Sequence, residues 1–458
     1  MLTRDARAYG LRELFRRAGV KRESFQSYDI NFANDHVIVR IGETGKRIRF
    51  SSISLEHADI GARSVVCASW FGSPPNYPGR LVSDLCVPFC RDSRLQGHPI
   101  FTLRDNTLEC AFDLPLVTLL SLTRYEEQIS PVRDIHGRFP GSASVAAQHN
   151  CLDRPIIDEY GLALEQGLRQ LLPGWAPSER KLRVKLSHDA DMIGLPYRPL
   201  HKYLKSAVGH TVRSGSPFCT FRDLASLACG VDPSYLLALR RICVHTKQHS
   251  LRSAVYWKAG PRSPMDSGYD PRRGAAAAAI SWLREQGLES GVHPGYFTFG
   301  QPEALKAEVA VLREILGEGP LGGRQHYLRW NPDTWHDWER CGLAYDSSVG
   351  YADRVGFRAG TCVPYRPWLF RFNRESELLE IPLIAMDVTL INIMKLGPRE
   401  VKKTILDLIG CCEIVGGVFT LLWHNSSLLD YPEYSTVYEA ALRALECFDT
   451  FELQNHSF

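Results

Sequence analysis

The sequence predicts an α/β protein: a smaller α+β domain over residues 1–178, then a closed or nearly closed (β/α) barrel over residues 179–458. Three observations predict it. From residue 181 onward, short apolar stretches of strand composition alternate with longer stretches of helical spacing, which implies a parallel sheet. Ahead of that, short strands and apolar helices follow one another without the alternation. Between the two patterns, Leu172 to Arg180 (LPGWAPSER) combines prolines, a glycine and a polar end, as a domain boundary does. A chain of 458 residues has room for two or three domains at ~150 residues each. Hydrophobic residues at 44% and charged residues at 23% exclude a disordered chain. Lys+Arg 54 against Asp+Glu 51 is too balanced for a nucleic-acid-binding surface. No apolar run approaches the ~20 residues of a membrane helix, and the first residues lack the apolar core of a secretory signal. Thirteen dispersed cysteines without a CxxC pair predict reduced thiols, so a cytoplasmic location is expected.

The elements follow in order. Leu11, Leu14, Phe15 and Ala18 form one stripe of an N-terminal amphipathic helix. Asp29–Phe32 and His36–Ile41 have strand composition around the turn-forming Ala33-Asn34-Asp35, which predicts a hairpin. Leu114 to Leu122 reads as a buried helix capped by Asp113, with Pro115 in its first turn. Ile156 to Leu172 is a helix that stops before Pro173-Gly174. In the barrel, Lys181–Leu186 is the first strand, and a basic helical insertion follows around residues 197–250. Ser253–Trp257, Gly291–His293, Arg324–Trp330, Leu343–Tyr345, Leu378–Met386 and Val418–Trp423 read as further strands or strand ends. Arg272–Gln286, Pro302–Leu316, Asn331–Cys341 and Arg399–Ile409 read as the helices between them. Asn331 caps its helix, with Pro332 at the first position.

In such barrels the reactive groups gather at the carboxyl ends of the strands. Here the strands end in His188, Asp189 and Asp191, then His293, then Arg324, His326 and Tyr327, then Asp346, Asp387 and His424. If Ser187–Asp191 stays extended, Asp189 and Asp191 point to one side, because side chains alternate with period two, and Arg324 and His326 share a face by the same rule. A divalent metal held by Asp191, His293 and His326 would have the mixed nitrogen and oxygen donors that zinc uses in catalysis. Asp189 would then serve as general base. Tyr296, Tyr327 and Trp330 are candidates for stacking on a substrate. For Asp346 and Asp387 the preferred reading is a cap on the following turn, and for His188 it is support from behind the site.

These stretches, taken together, resemble the polysaccharide deacetylase superfamily (NodB homology, carbohydrate esterase family 4). His188-Asp189-Ala190-Asp191 is similar to its first motif, a base Asp with a metal-binding Asp nearby. Ser290-Gly291-Val292-His293-Pro294-Gly295-Tyr296 matches its second, except that Phe297 stands where a second histidine should be. Arg324-Gln325-His326-Tyr327 looks like the third, with histidine replacing proline. Thr420-Leu421-Leu422-Trp423-His424-Asn425 looks like the last. Thr123-Arg124-Tyr125-Glu126-Glu127 and His136-Gly137-Arg138-Phe139 are similar to a divergent bacterial branch that carries an extra N-terminal domain. The resemblance implies a distorted (β/α) barrel and metal-dependent removal of an N-acyl group, N-acetyl above all, from a sugar during surface-polysaccharide synthesis. It implies His424 as the acid that protonates the leaving amine and Arg324 as the group that orients Asp189. Because Phe297 cannot ligate a metal, His326 is expected to supply the third ligand, and the metal expected is zinc.

Two alternatives stay open. One is a catalytically silent carbohydrate-binding barrel. The other is a hydrolase of another amide, a cyclic imide or an N-formyl sugar. The basic segment from Tyr197 to His249 would suit a nucleotide-linked or lipid-linked sugar, although a solvated helical face explains it as well.

Overall fold

In the computed structural model, which describes residues 2–52, 64–78, 82–90, 92–194 and 231–453, the chain divides into two units. The first takes Met1–Arg183, Val349–Ile384 and Leu406–Phe419; the second takes Val184–Ser348, Ala385–Ile405 and Thr420–Phe458.

The first unit begins with helix α1 (Arg4–Arg17), whose N-cap Thr3 accepts a hydrogen bond from the Ala6 N–H. The expected hairpin forms: β1 (Asp29–Phe32) pairs antiparallel with β2 (His36–Arg40), in register from Asp29 opposite Arg40 to Phe32 opposite Val37. They join β3 (Arg47–Ser51), and after the separate pair β4 (Val65–Ser69) and β5 (Asp84–Pro88), β6 (Thr102–Arg104) and β7 (Thr107–Cys110) complete a sheet of order β1-β2-β3-β7-β6. Helix α2 (Leu114–Leu122) is capped by Asp113, which accepts from the Leu116 N–H at 3.1 Å, an interaction worth about 1 kcal/mol. Gly10 lets α1 and α2 touch, since a Cβ there would lie 2.2 Å from the Pro115 carbonyl oxygen. The α1 stripe Leu11, Leu14, Phe15 and Ala18 is fully buried, in one cluster with Ile48, Phe50 and Leu108 of the sheet and Tyr160, Leu164 and Leu168 of α3 (Ile156–Leu171). Cys86 and Cys151 form a disulfide. That corrects the expectation of reduced thiols throughout: nothing local to either cysteine signals a partner 65 residues away.

The second unit is built on β8 (Arg183–Asp189), β9 (Ser253–Trp257), β10 (Glu289–Val292), β11 (Gly322–Gly323), β12 (Tyr345–Asp346), β13 (Ala385–Met386) and β14 (Val418–Leu422), in the order β12-β11-β10-β9-β8-β14-β13. The pairs from β8 through β12, and the pair β13–β14, are parallel. Helices α4 (Pro233–Gln248), α5 (Gly274–Glu285), α6 (Pro302–Leu316), α7 (Pro332–Arg340), α8 (Pro398–Val415, whose residues from Leu406 on belong to the first unit) and α9 (Ser435–Leu445) alternate with the strands. Asn331 closes a capping box with Thr334 at the start of α7. The sheet is a curled half-barrel, an open path, where a closed or nearly closed barrel was expected. Of the insertion expected around 197–250, residues 197–230 lie outside the described residues, and the remainder is largely α4.

Two strand assignments need correction. Arg324–Trp330 is not strand: β11 is only Gly322–Gly323, and a 3-10 turn follows at His326–Leu328. A strand of two glycines carries no side-chain pattern for a sequence reading to find. The expected strand Leu378–Met386 is two short ones, Leu379–Glu380 and β13, separated by Pro382, which has no N–H for a ladder.

Candidate metal centre and active site

Asp189, His293, Arg324, Asp346 and Asp387 each end a strand of the parallel sheet or follow it directly, and His424 comes one residue later. β8 carries Asp189 at its last position, and the Ala190 N–H still bonds the Tyr256 carbonyl at 2.9 Å. There extension stops, so Asp191 lies in a turn, not along the strand as expected. It nevertheless comes together with His293 and His326: one donor atom from each of the three lies within 4.8 Å of the others. His293 follows β10, and its Nδ1 is 3.8 Å from Asp189 Oδ2. Asp189 and Asp191 therefore flank one imidazole.

Arg324 directly follows Gly323, whose lack of a side chain is required: a Cβ would lie 1.8 Å from the Val292 carbonyl oxygen. The Arg324 N–H donates to that same oxygen at 3.0 Å. Its guanidinium is completely buried. Nη1 donates to Asp189 Oδ1 (3.0 Å) and Ser187 Oγ (2.9 Å), and Nε donates to the Ser347 carbonyl (2.9 Å). Its position is fixed from several sides, and it fixes Asp189 in turn.

Both histidines of the trio have their Nδ1 engaged. His293 Nδ1–H donates to the Arg324 carbonyl at 2.8 Å, which leaves Nε2 as a lone pair. Burial pushes the His293 pKa down to about 4 against the pull of Asp189, so the ring is neutral at neutral pH. His326 Nδ1 pairs with Asp266 Oδ1 at 2.8 Å, and its Nε2 stands 3.5 Å from Asp191 Oδ2. This carboxylate–imidazole arrangement orients histidine ligands in metal sites. Asp266 is itself held by Lys258 Nζ at 2.7 Å and Ser263 Oγ at 2.6 Å. Burial would raise the Asp191 carboxyl, but the His326 hydrogen bond and the charges of His424 and Lys258 hold it well below the usual carboxylate range. Two polar atoms of the trio, Asp191 Oδ1 and His293 Nε2, are buried without a hydrogen-bond partner. A buried polar atom left so costs about 1–3 kcal/mol. A divalent cation among the three side chains would engage both, so the residues present fit a metal.

His424 follows β14. Its Nδ1 and its backbone N–H both bond Asp387, each at 2.7 Å, and Ser427 Oγ donates to Asp387 Oδ2 at 2.6 Å. Burial disfavours the imidazolium, but Asp387, with Asp191 and Asp189 behind it, outweighs burial and raises the pKa to about 10. His424 is therefore a charged proton donor at neutral pH. His188 points away from Asp189, as expected, and bonds the Trp423 carbonyl at 2.7 Å, bracing the strand that carries His424. Asp346 caps its turn through the Ser348 N–H at 2.9 Å, as expected.

At the mouth, Tyr296 and Tyr327 meet edge to face at 5.2 Å, and Tyr327 touches the His326 ring at 4.6 Å. Phe297 is 59% exposed and packs on Tyr296 at 5.2 Å. Tyr327 and Leu328 have φ of 60° and 52°, a left-handed conformation that costs bulky residues about 1–3 kcal/mol each and clusters at functional sites. Trp330 is a correction: it is 2% exposed and packs on Trp335 at 4.7 Å, so it offers no face to a sugar. A sequence reading missed Lys258 and Asp266 and took Asp387 only as a turn cap. The one available signal was a lysine directly ending the apolar strand Ser253–Trp257.

Fold and site thus define an α/β protein with a candidate metal centre at the strand ends. A model of a family of unknown function (DUF7033) matches residues 8–173. No curated protein matches the chain. Among solved structures, the chain is similar to a proposed polysaccharide deacetylase from Mycobacterium smegmatis, at 14% identity and a TM-score of 0.39 over 60% of this chain and 88% of that one. It is also similar to a proposed polysaccharide deacetylase involved in O-antigen biosynthesis from Bordetella bronchiseptica, at 12% identity and a TM-score of 0.29 over 59% of this chain and 86% of that one. Among the described residues, no helix is long and apolar enough to cross a membrane.

Proposed function

We propose that the protein is a metal-dependent carbohydrate deacetylase that hydrolyses an N-acetyl group on a sugar during surface-polysaccharide synthesis. One observation carries the reading: Asp191, His293 and His326 converge beside an Arg324-held Asp189 and a charged His424. The motif resemblance supports it, including its divergent branch with a leading domain over residues 1–178. Asp191, His293 and His326 would hold the metal, and their donors suit zinc. A bound divalent cation supplies Lewis acidity, acidifying water and polarising the acyl carbonyl. Asp189, fixed by Arg324, takes the proton of the attacking water. His424 gives its proton to the sugar nitrogen as the C–N bond breaks, so the products are a carboxylate and an amine. Asp387 keeps His424 charged and aimed. Tyr296 and Tyr327 stack on the sugar and exclude water from its apolar face.

The substrate proposed is a nucleotide- or lipid-linked sugar, met in the cytoplasm. The Cys86–Cys151 disulfide bears on the compartment, because such bonds are rare where glutathione is reducing. Trapping thiols at lysis and mapping this pair tests it; a fully oxidised pair overturns the cytoplasmic assignment. The activity is tested by incubating zinc-loaded protein with N-acetylated and N-formylated sugars and measuring released acid. Acetate release supports the reading. Phe297 favours a second one, a silent sugar-binding barrel, which sugar binding without any acid release would establish.

A further inference from the structure

A second group of metal-ligand type lies on the helices of the second unit, remote in sequence from every strand-end residue. His245 and His249 are four residues apart at the end of α4, so both imidazoles lie on one face. Across from them α9 presents Glu439. One donor atom from each of the three lies within 4.8 Å of the others. Glu439 Oε2 pairs with His245 Nε2 and lies 3.3 Å from His249 Nε2. The other oxygen of Glu439 accepts from Arg443 Nε at 2.8 Å, which turns Oε2 toward the histidines. His249 Nδ1 is bound to Glu446 Oε2 at 2.7 Å, which aims Nε2 inward. A carboxylate on the far nitrogen is what orients and enriches a histidine ligand. The group is also rigidly based. One residue along each helix, Thr246 Oγ1 and the Tyr438 hydroxyl share a buried hydrogen bond at 2.9 Å. The end of α4 adds the negative pole of its helix dipole, which favours a cation.

We propose that His245, His249 and Glu439 form a second divalent-metal site, for zinc or a similar borderline ion. Two imidazoles and one carboxylate make a donor set that zinc accepts with a fourth position open to water. All three side chains reach solvent, so an ion has a path in. Bound there, it would pin α4 to α9. Tyr438 of α9 packs on Trp423 at 5.1 Å, directly before His424, so the pin braces the back of the strand-end site without entering it.

The test is zinc content per full-length chain after equilibrium dialysis against free zinc, with cobalt absorption as a second probe. The Asp191→Asn background removes the strand-end trio and leaves this site to be read alone. There we expect about one bound ion per chain, lost in His245→Gln/His249→Gln and in Glu439→Gln. We also expect zinc to raise the Tm of Asp191→Asn but not of the variants with these additional substitutions. An Asp191→Asn chain that binds no zinc overturns the proposal. Zinc that stays after both the histidine and the Glu439 changes overturns it too. In the otherwise unmodified chain, His245→Gln/His249→Gln reports on the strand-end site by itself, so failure there is distinguishable.

Discussion

Both units bury charge, and they do so differently. In the first unit, Glu127 Oε1 accepts from Arg124 Nε (2.8 Å) and Arg358 Nε (2.9 Å), and its Oε2 accepts from Arg358 Nη2 (2.5 Å). Asp158 likewise takes Arg17 Nε (2.9 Å), Thr361 Oγ1 (2.6 Å) and the Cys362 N–H (3.0 Å). Each carboxylate is satisfied on both oxygens, as a structural ion pair must be to offset its desolvation. In the second unit, Arg324 and Asp387 are saturated in the same way, but Asp191 Oδ1 and His293 Nε2 are not. The saturated groups surround the unsatisfied ones and hold them. Paired charge in the first unit holds the fold, and in the second it holds lone pairs ready for something else.

The sharpest break of that contrast is Asp189→Asn. It keeps the shape and removes the proposed base, so turnover should fall about 10²–10⁴-fold while zinc content stays. Retained turnover would reject Asp189 as base. Arg358→Ala is the counterpart in the first unit. It removes one of the two arginines that hold the buried Glu127, leaving Arg124, and should cost about 1.5–3 kcal/mol in urea unfolding, with no change in zinc affinity of the folded protein. If zinc affinity fell instead, the two units would not be separable in this way. Asp266→Ala should weaken zinc binding about 10–100-fold by freeing His326, whereas His326→Ala should remove the strand-end ion altogether. Unchanged occupancy in His326→Ala would sink that ligand assignment.

The last effect is a pH effect. The folded pKa of His424 is about 10, above the ordinary 6.5, so the folded state binds the proton more tightly than the unfolded chain does. The stability this contributes is fully present below pH 6.5 and is lost as pH rises through about 10. Unfolding of chelator-treated protein across that range should show the decline. Asp387→Asn should flatten it and bring the alkaline limb of activity to lower pH.

What the sequence made legible were groups whose role is set by neighbours along the chain. Asp113 and Asn331 announce helix starts because capping is local. His424 announces itself because a polar side chain ends an apolar run, whereas His293 and Arg324 stand out only as parts of motifs that resemble a known family. Illegible were groups whose meaning depends on distant partners. Lys258 and Asp266 reach His326 only through the fold, and Cys86 meets Cys151 from afar. Trp330 reads like a rim aromatic until Trp335 covers it. The turn at Tyr327 and Leu328 defeats any period-two rule, because left-handed backbone reverses the direction in which side chains leave.

Gly323 gives a last consequence, one for the mutational history of such a chain. It has no side chain and no chemistry, yet a single methyl there would press on the Val292 carbonyl that anchors Arg324, between the residues that precede His293 and Arg324. In a saturation library read for activity, this position should tolerate fewer replacements than Phe297 at the mouth. The least adorned residue of the sheet would then be among the slowest to drift.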